Sequence, residues 1–128
     1  APVAVPPVDP SLIDARQMGM IQDEVGTDGL HELLISFWAD AAGLLAELEQ
    51  ALTAEDYQRA SAVLHTLKGA AANLGLSGCG AACADARADI AEGRAPDVGE
   101  LLTIMFKTLQ ATQPRIVEAA GAINAEAA

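Results

Sequence analysis

The chain has 128 residues, 52% hydrophobic but only 3% aromatic, and 18 acidic side chains against 7 basic ones. A net charge of −11 repels phosphate backbones and anionic bilayers, so nucleic-acid and membrane partners are excluded on electrostatic grounds. The length implies one domain that needs neither disulfide nor metal to hold a core.

Alanine and leucine carry the hydrophobicity, which favours close-packed helices over strands. The two cysteines, Cys79 and Cys83, stand four residues apart. They read as small buried thiols in a reducing compartment. No apolar run reaches a spanning length, and a cytoplasmic location is expected.

Residues 1–10, "APVAVPPVDP", hold four of the six prolines and no periodicity. They are expected to form a disordered tail, with the folded unit over 11–122 and a frayed end over 123–128. "PSLIDARQMGM" reads as a short extra helix capped by Asp9 or Ser11. A long helix follows over 27–52, where Leu30, Leu34, Phe37, Ala41, Leu44, Leu48 and Leu52 recur at three- and four-residue steps. Asp28 is its expected cap.

The next helix has Thr53 and Asp56 as its start signal and Gly75 as its stop. Ala60, Leu64, Leu67, Ala71 and Leu74 form its apolar stripe. "SGCGAACADARADIAEGR" is a further helix, opened by Ser77 and closed by Gly93. The last begins near Asp97, and Pro114 is expected to kink or split it. Long amphipathic helices with short connections imply an all-α fold, an antiparallel up-down four-helix bundle with the short first helix across one end.

The stretch "VLHTLKGAAANLGL", residues 63–76, carries the chemistry. On a helical wheel His65 lies about 140° from the centre of the apolar stripe, so it faces solvent. Gly69, one turn on, points almost directly away from the core. A glycine inside a helix costs about 1 kcal/mol relative to alanine. Close approach of another molecule to the imidazole would make that cost worth bearing. Lys68, one turn from His65, offers three donors and a fixed positive charge.

A metal would need more ligands. His31 is on another helix, the cysteines are on a third, and neither HxxxH nor CxxC spacing occurs. Neither a nucleophile elbow nor a phosphate-binding loop is present, so autonomous hydrolysis and kinase activity are not expected. What remains is nucleophilic chemistry at the neutral imidazole, with a phosphoryl group brought by another protein.

"HTLKGAAANLG" resembles the His-x-Leu-Lys-Gly motif of histidine-containing phosphotransfer (HPt) domains of bacterial phosphorelays. The likeness extends over about residues 28–95. It implies that residues 11–122 form an HPt-like bundle. It implies that His65 is phosphorylated, that Lys68 pairs with the phosphate and that Gly69 gives access. Gly75 matches the family's helix-ending glycine. Ala70 stands where the family often has a serine, and Asp85 or Asp89 where it often has an acidic residue on the following helix.

The implied function is that of a shuttle, a phosphotransfer intermediate rather than a turnover enzyme. His65 would accept a phosphoryl group from a receiver-domain aspartate and pass it to another. The implied partners are the receiver domains of a hybrid histidine kinase and of a response regulator. Magnesium is expected in the receiver, and no cofactor on this chain. Ser61, Ala72 and Leu76 are the candidate docking residues, and a monomer is expected. The alternatives are a bundle that binds a receiver or kinase without carrying phosphate, and a dimerising histidine-kinase fragment.

Overall fold

The structure, a computed structural model, describes residues 11–127 and the side-chain surroundings of residues 11–112. The proline-rich segment 1–10 and Ala128 lie outside the described residues. Four helices follow in order: α1 (Ala15–Thr53), α2 (Tyr57–Asn73), α3 (Ser77–Ala91) and α4 (Val98–Ala127). There is no strand among the described residues.

Three of the four helices start the same way. Asp14 accepts a hydrogen bond from the Gln17 amide at 3.0 Å. Asp56 accepts from Arg59 at 3.1 Å, and Asp97 from Glu100 at 3.0 Å. In each case a carboxylate satisfies one of the amides that the first turn leaves without a partner. The first cap is therefore Asp14, not Ser11, and Asp9 lies outside the described residues. Asp14 and Gln17 stand in the spacing of a capping box.

α1 spans both helices expected over 11–52, which meet at a kink. Only Gly26 leaves helical geometry, with φ 82° and ψ 172°, a conformation open to glycine alone. Beyond it the Asp28 carboxylate accepts from the Gly29 amide at 2.9 Å. The expected stops hold: Gly75 and Gly93 both have positive φ, 74° and 77°. α4 continues through Pro114 to Ala127, so it is not split there, and residues 123–127 belong to it. Proline removes one main-chain bond, a loss that the flanking turns outlast.

α1 packs against α2 and α4, and α3 packs against α2 and α4. Each helix thus has two neighbours and faces the centre of a ring. The whole predicted stripe of α2 is buried there, with Ala60, Leu64, Leu67 and Ala71 at zero exposure. Leu34 and Leu48 of α1 meet it from one side. Cys79, Cys83, Ala82 and Ala86 of α3 meet it from another. Because α3 buries only small side chains, its backbone can lie close to α2, and this closeness decides which α3 side chain reaches the outer face of α2.

Residues 11–18 strap the end where α2 turns into α3. The Asp14 amide donates to the Gly75 carbonyl at 2.7 Å, and the Gly78 amide to the Leu12 carbonyl at 3.0 Å. Gln17 Nε2 donates to the Ala72 carbonyl at 2.6 Å. Ile13 and Met18 are buried beneath these bonds.

Candidate functional site

His65 occupies the middle of α2, between Leu64 and Leu67 of the core stripe. With those leucines fully buried, the 100° step per residue turns the imidazole outward, and it is exposed. Around it Ala62, Thr66, Gly69 and Ala72 are exposed as well. The surface beside the ring is therefore low in relief. The Thr66 hydroxyl donates to the Ala62 carbonyl at 3.2 Å, which holds it against the helix.

Gly69 is open. A Cβ built there would meet nothing within 4 Å. Helix packing accordingly does not require a glycine at this position, and the space it leaves opens to solvent one turn from His65. Lys68 is half-buried. Its charge is felt at Cys83 of α3, where it favours the thiolate. It takes part in none of the ion pairs of the described residues, which join Arg59 to Glu47 and Arg94 to Asp89 and Glu92.

Arg87 completes the cluster. It comes from α3, and its Nη1 lies 3.2 Å from His65 Nδ1. Its Nε donates to the Ser61 hydroxyl at 3.3 Å, one turn before His65. Arg87 is thus pinned along the outer face of α2 by two side chains on consecutive turns. The family resemblance puts an acidic residue on this helix, at Asp85 or Asp89. Asp85 is exposed, and Asp89 accepts from Arg94 at 3.0 Å. The α3 residue against the imidazole is the arginine between them.

The three docking candidates separate. Ala72 is exposed, and Ser61 is half-buried beneath Arg87. Leu76 has no exposed surface and cannot offer a docking contact. It sits at the cap position of α3, with the 11–18 strap folded over that end of the bundle.

Beside His65, α1 and α2 bound an open groove of about 560 Å³, with Ala39, Asp40, Gly43, Leu44, Thr66 and Ala70 among its lining residues. The thiols of Cys79 and Cys83 are buried in the core. Burial pushes Cys83 up to about 12, with neighbouring Cys79 adding to the rise. Burial likewise raises Cys79, opposed by a hydrogen bond with Thr108. Among the described residues no group of three or more His, Cys, Asp or Glu side chains could hold a metal ion.

A solvent-facing histidine at mid-helix, with open space one turn on and cations on two helices, is the arrangement found here. A family model described as Hpt domain matches residues 32–124. The chain belongs to the Hpt domain family. No curated protein and no solved structure matches it. As an Hpt domain it takes part in histidine phosphotransfer within phosphorelays, and its partners are receiver domains. No helix among the described residues of this Hpt domain is long and apolar enough to cross a membrane.

Proposed function

We propose that this Hpt domain is a cytoplasmic, monomeric bacterial shuttle that takes a phosphoryl group from a receiver aspartate onto His65 and passes it to a second receiver. The observation that carries this reading is the exposed ring of His65 beside the open space at Gly69. Up-down antiparallel packing fits the short turns and the ring of neighbouring helices.

Transfer begins when His65 and the aspartyl phosphate are held in line. The bundle holds the imidazole at a set place on a packed helix, so little translational freedom is lost in bringing the two groups together. Lys68 supplies positive charge near the three phosphoryl oxygens as they gain charge. The receiver would supply a magnesium ion, which offsets the charge on the phosphoryl oxygens, and the aspartyl carboxylate, which is the leaving group in this step and the acceptor in the onward one. Small side chains at Ala62, Gly69 and Ala72 let the receiver surface approach. The neighbouring α1/α2 groove is the surface we assign to receiver docking, with Asp40 and Glu47 as acidic rim positions for a basic partner.

The test is incubation with receiver domains charged by acetyl phosphate, followed by measurement of acid-labile phosphate on the chain. The wild type takes up label and H65Q does not. H65Q leaves stability within about 0.5 kcal/mol, as an exposed substitution should. A wild type that binds charged receivers without ever taking up label is an adaptor instead.

A further inference from the structure

The contact between Arg87 and His65 restricts where the imidazole keeps its hydrogen. A guanidinium has five N–H donors and no acceptor. A hydrogen bond from Arg87 Nη1 to His65 Nδ1, at 3.2 Å, therefore uses the Nδ1 lone pair. A neutral imidazole has one N–H and one lone pair. With the lone pair of Nδ1 engaged, the hydrogen is on Nε2.

That tautomer cannot attack through Nε2, the nitrogen that Arg87 leaves free. Attack there needs the lone pair on Nε2 and the hydrogen on Nδ1. Arg87 cannot stay where it is in that state, because two N–H groups would then face each other. We propose that Arg87 is a positioning residue that holds His65 in its resting tautomer, so that the ring becomes a nucleophile only when this contact opens. The proposal rests on the phosphotransfer reading above and adds a step to it.

The sequence balances as follows. Arg87 withdraws from Nδ1, and water carries the hydrogen from Nε2 to Nδ1. The Nε2 lone pair then forms the bond to phosphorus. The bond between phosphorus and the aspartyl oxygen breaks, its electron pair leaving on the carboxylate. In the product Nδ1 bears the hydrogen, so Arg87 cannot return to it and is free to turn toward the phosphoryl oxygens. Ser61 sets how tightly the resting state is held, since its hydroxyl anchors the same guanidinium at Nε.

Three variants separate this from a merely structural role. R87A removes the donor. R87Q replaces it with a side chain whose carbonyl can accept from an Nδ1 hydrogen. S61A leaves Arg87 in place but removes its anchor. The ring nitrogens of the 15N-labelled full chain are observed at a pH where imidazole is neutral, with the His65 signals assigned by their loss in H65Q. Wild type shows hydrogen predominantly on Nε2. R87Q moves the majority to Nδ1, and R87A and S61A lie between. With receiver domains charged by acetyl phosphate, R87Q takes up label about threefold faster at saturation, the population factor set by the low end of the net worth of one exposed hydrogen bond.

Tautomer populations that are the same in wild type, R87A and R87Q overturn the proposal, whatever the labelling shows. An inverted tautomer in R87Q with uptake no faster than wild type overturns the claim that the contact must open first. Failure of the wild type to take up label from any charged receiver overturns the phosphotransfer reading instead, and the nitrogen signals still report whether Arg87 sets the tautomer.

Discussion

At the scale of single residues, Gly69 separates what the fold wants from what the site wants. Its missing side chain leaves empty space, with nothing within 4 Å of a built Cβ. A methyl group there meets no obstacle and restricts the unfolded chain, so G69A is expected to stabilise the helix by about 1 kcal/mol. A larger side chain at the same place still folds, but it stands one turn from the imidazole on the side a receiver must approach. G69L is accordingly expected to keep or raise the melting temperature while slowing transfer at His65 by about tenfold or more, because small displacements of reacting atoms are costly. Calorimetry and label uptake on the same preparations check both halves. Equal transfer rates in wild type and G69L would remove the access argument, and a lower melting temperature in G69A would show that the space is not free.

Helices made different amounts of themselves visible in the chain. α2 was readable because its apolar residues repeat at helical spacing, and every member of that stripe is buried. The outward direction of His65 follows from the same spacing. α1 was readable for the same reason, although Leu44 and Leu52 are only half-buried at its edges. α3 was readable as an element, from Ser77 to the stop at Gly93, but its buried face was not, since Gly, Ala and Cys on most of its faces give almost no contrast between core and solvent. Hence Arg87 was missed: its reach to His65 depends on how closely and in which register α3 lies on α2, and local spacing contains neither. The signal available was compositional, one of 7 basic residues in an acidic chain, on the helix next to the motif. The cap at Asp14 was present in the spacing Asp14-x-x-Gln17 and was masked by two other capping residues just upstream.

The small residues that hide the buried face of α3 from pattern reading also give this element a pH signature. Burial raises Cys83 from 9.0 to about 12. Between those values the unfolded chain has lost a proton that the folded chain keeps, so the folded state loses stability as pH rises. Below the unfolded value both states hold the proton and the slope vanishes. Melting temperature is therefore expected to be insensitive to this thiol from pH 7 to about 9 and to decline above that. C83A is expected to flatten the decline, at the cost of whatever packing the sulfur provides. A decline of equal steepness in C83A would assign the alkaline loss to other groups.

On the scale of the whole molecule, the bundle is closed at one end by the residues that lead into α1 together with the first turn of that helix. Residues 11–18 place Ile13 and Met18 under the α2–α3 turn and bond to Ala72, Gly75 and Gly78. Helix ends leave main-chain groups without partners, and α3 starts without a side-chain cap. The Leu12 carbonyl meets that need by taking the Gly78 amide. Such proximity requires a residue without a side chain. A Cβ on Gly78 would come within 2.9 Å of both the Leu12 Cα and the Ser11 carbonyl oxygen. These are backbone atoms, so the strap itself would have to move. Gly80, two residues on in the same helix, has nothing within 4 Å. The same substitution should thus act with opposite sign at the two positions. G78A is expected to destabilise by about 1–3 kcal/mol, as overpacking does, and G80A to stabilise by up to about 1 kcal/mol. Both leave the extent of labelling at His65 unchanged in the protein that folds, because neither touches the outer face of α2. Paired melting curves read the difference, several degrees for a chain of this size. If both variants shift in the same direction, the strap is not seated against α3, and the closed end of the bundle must be drawn differently.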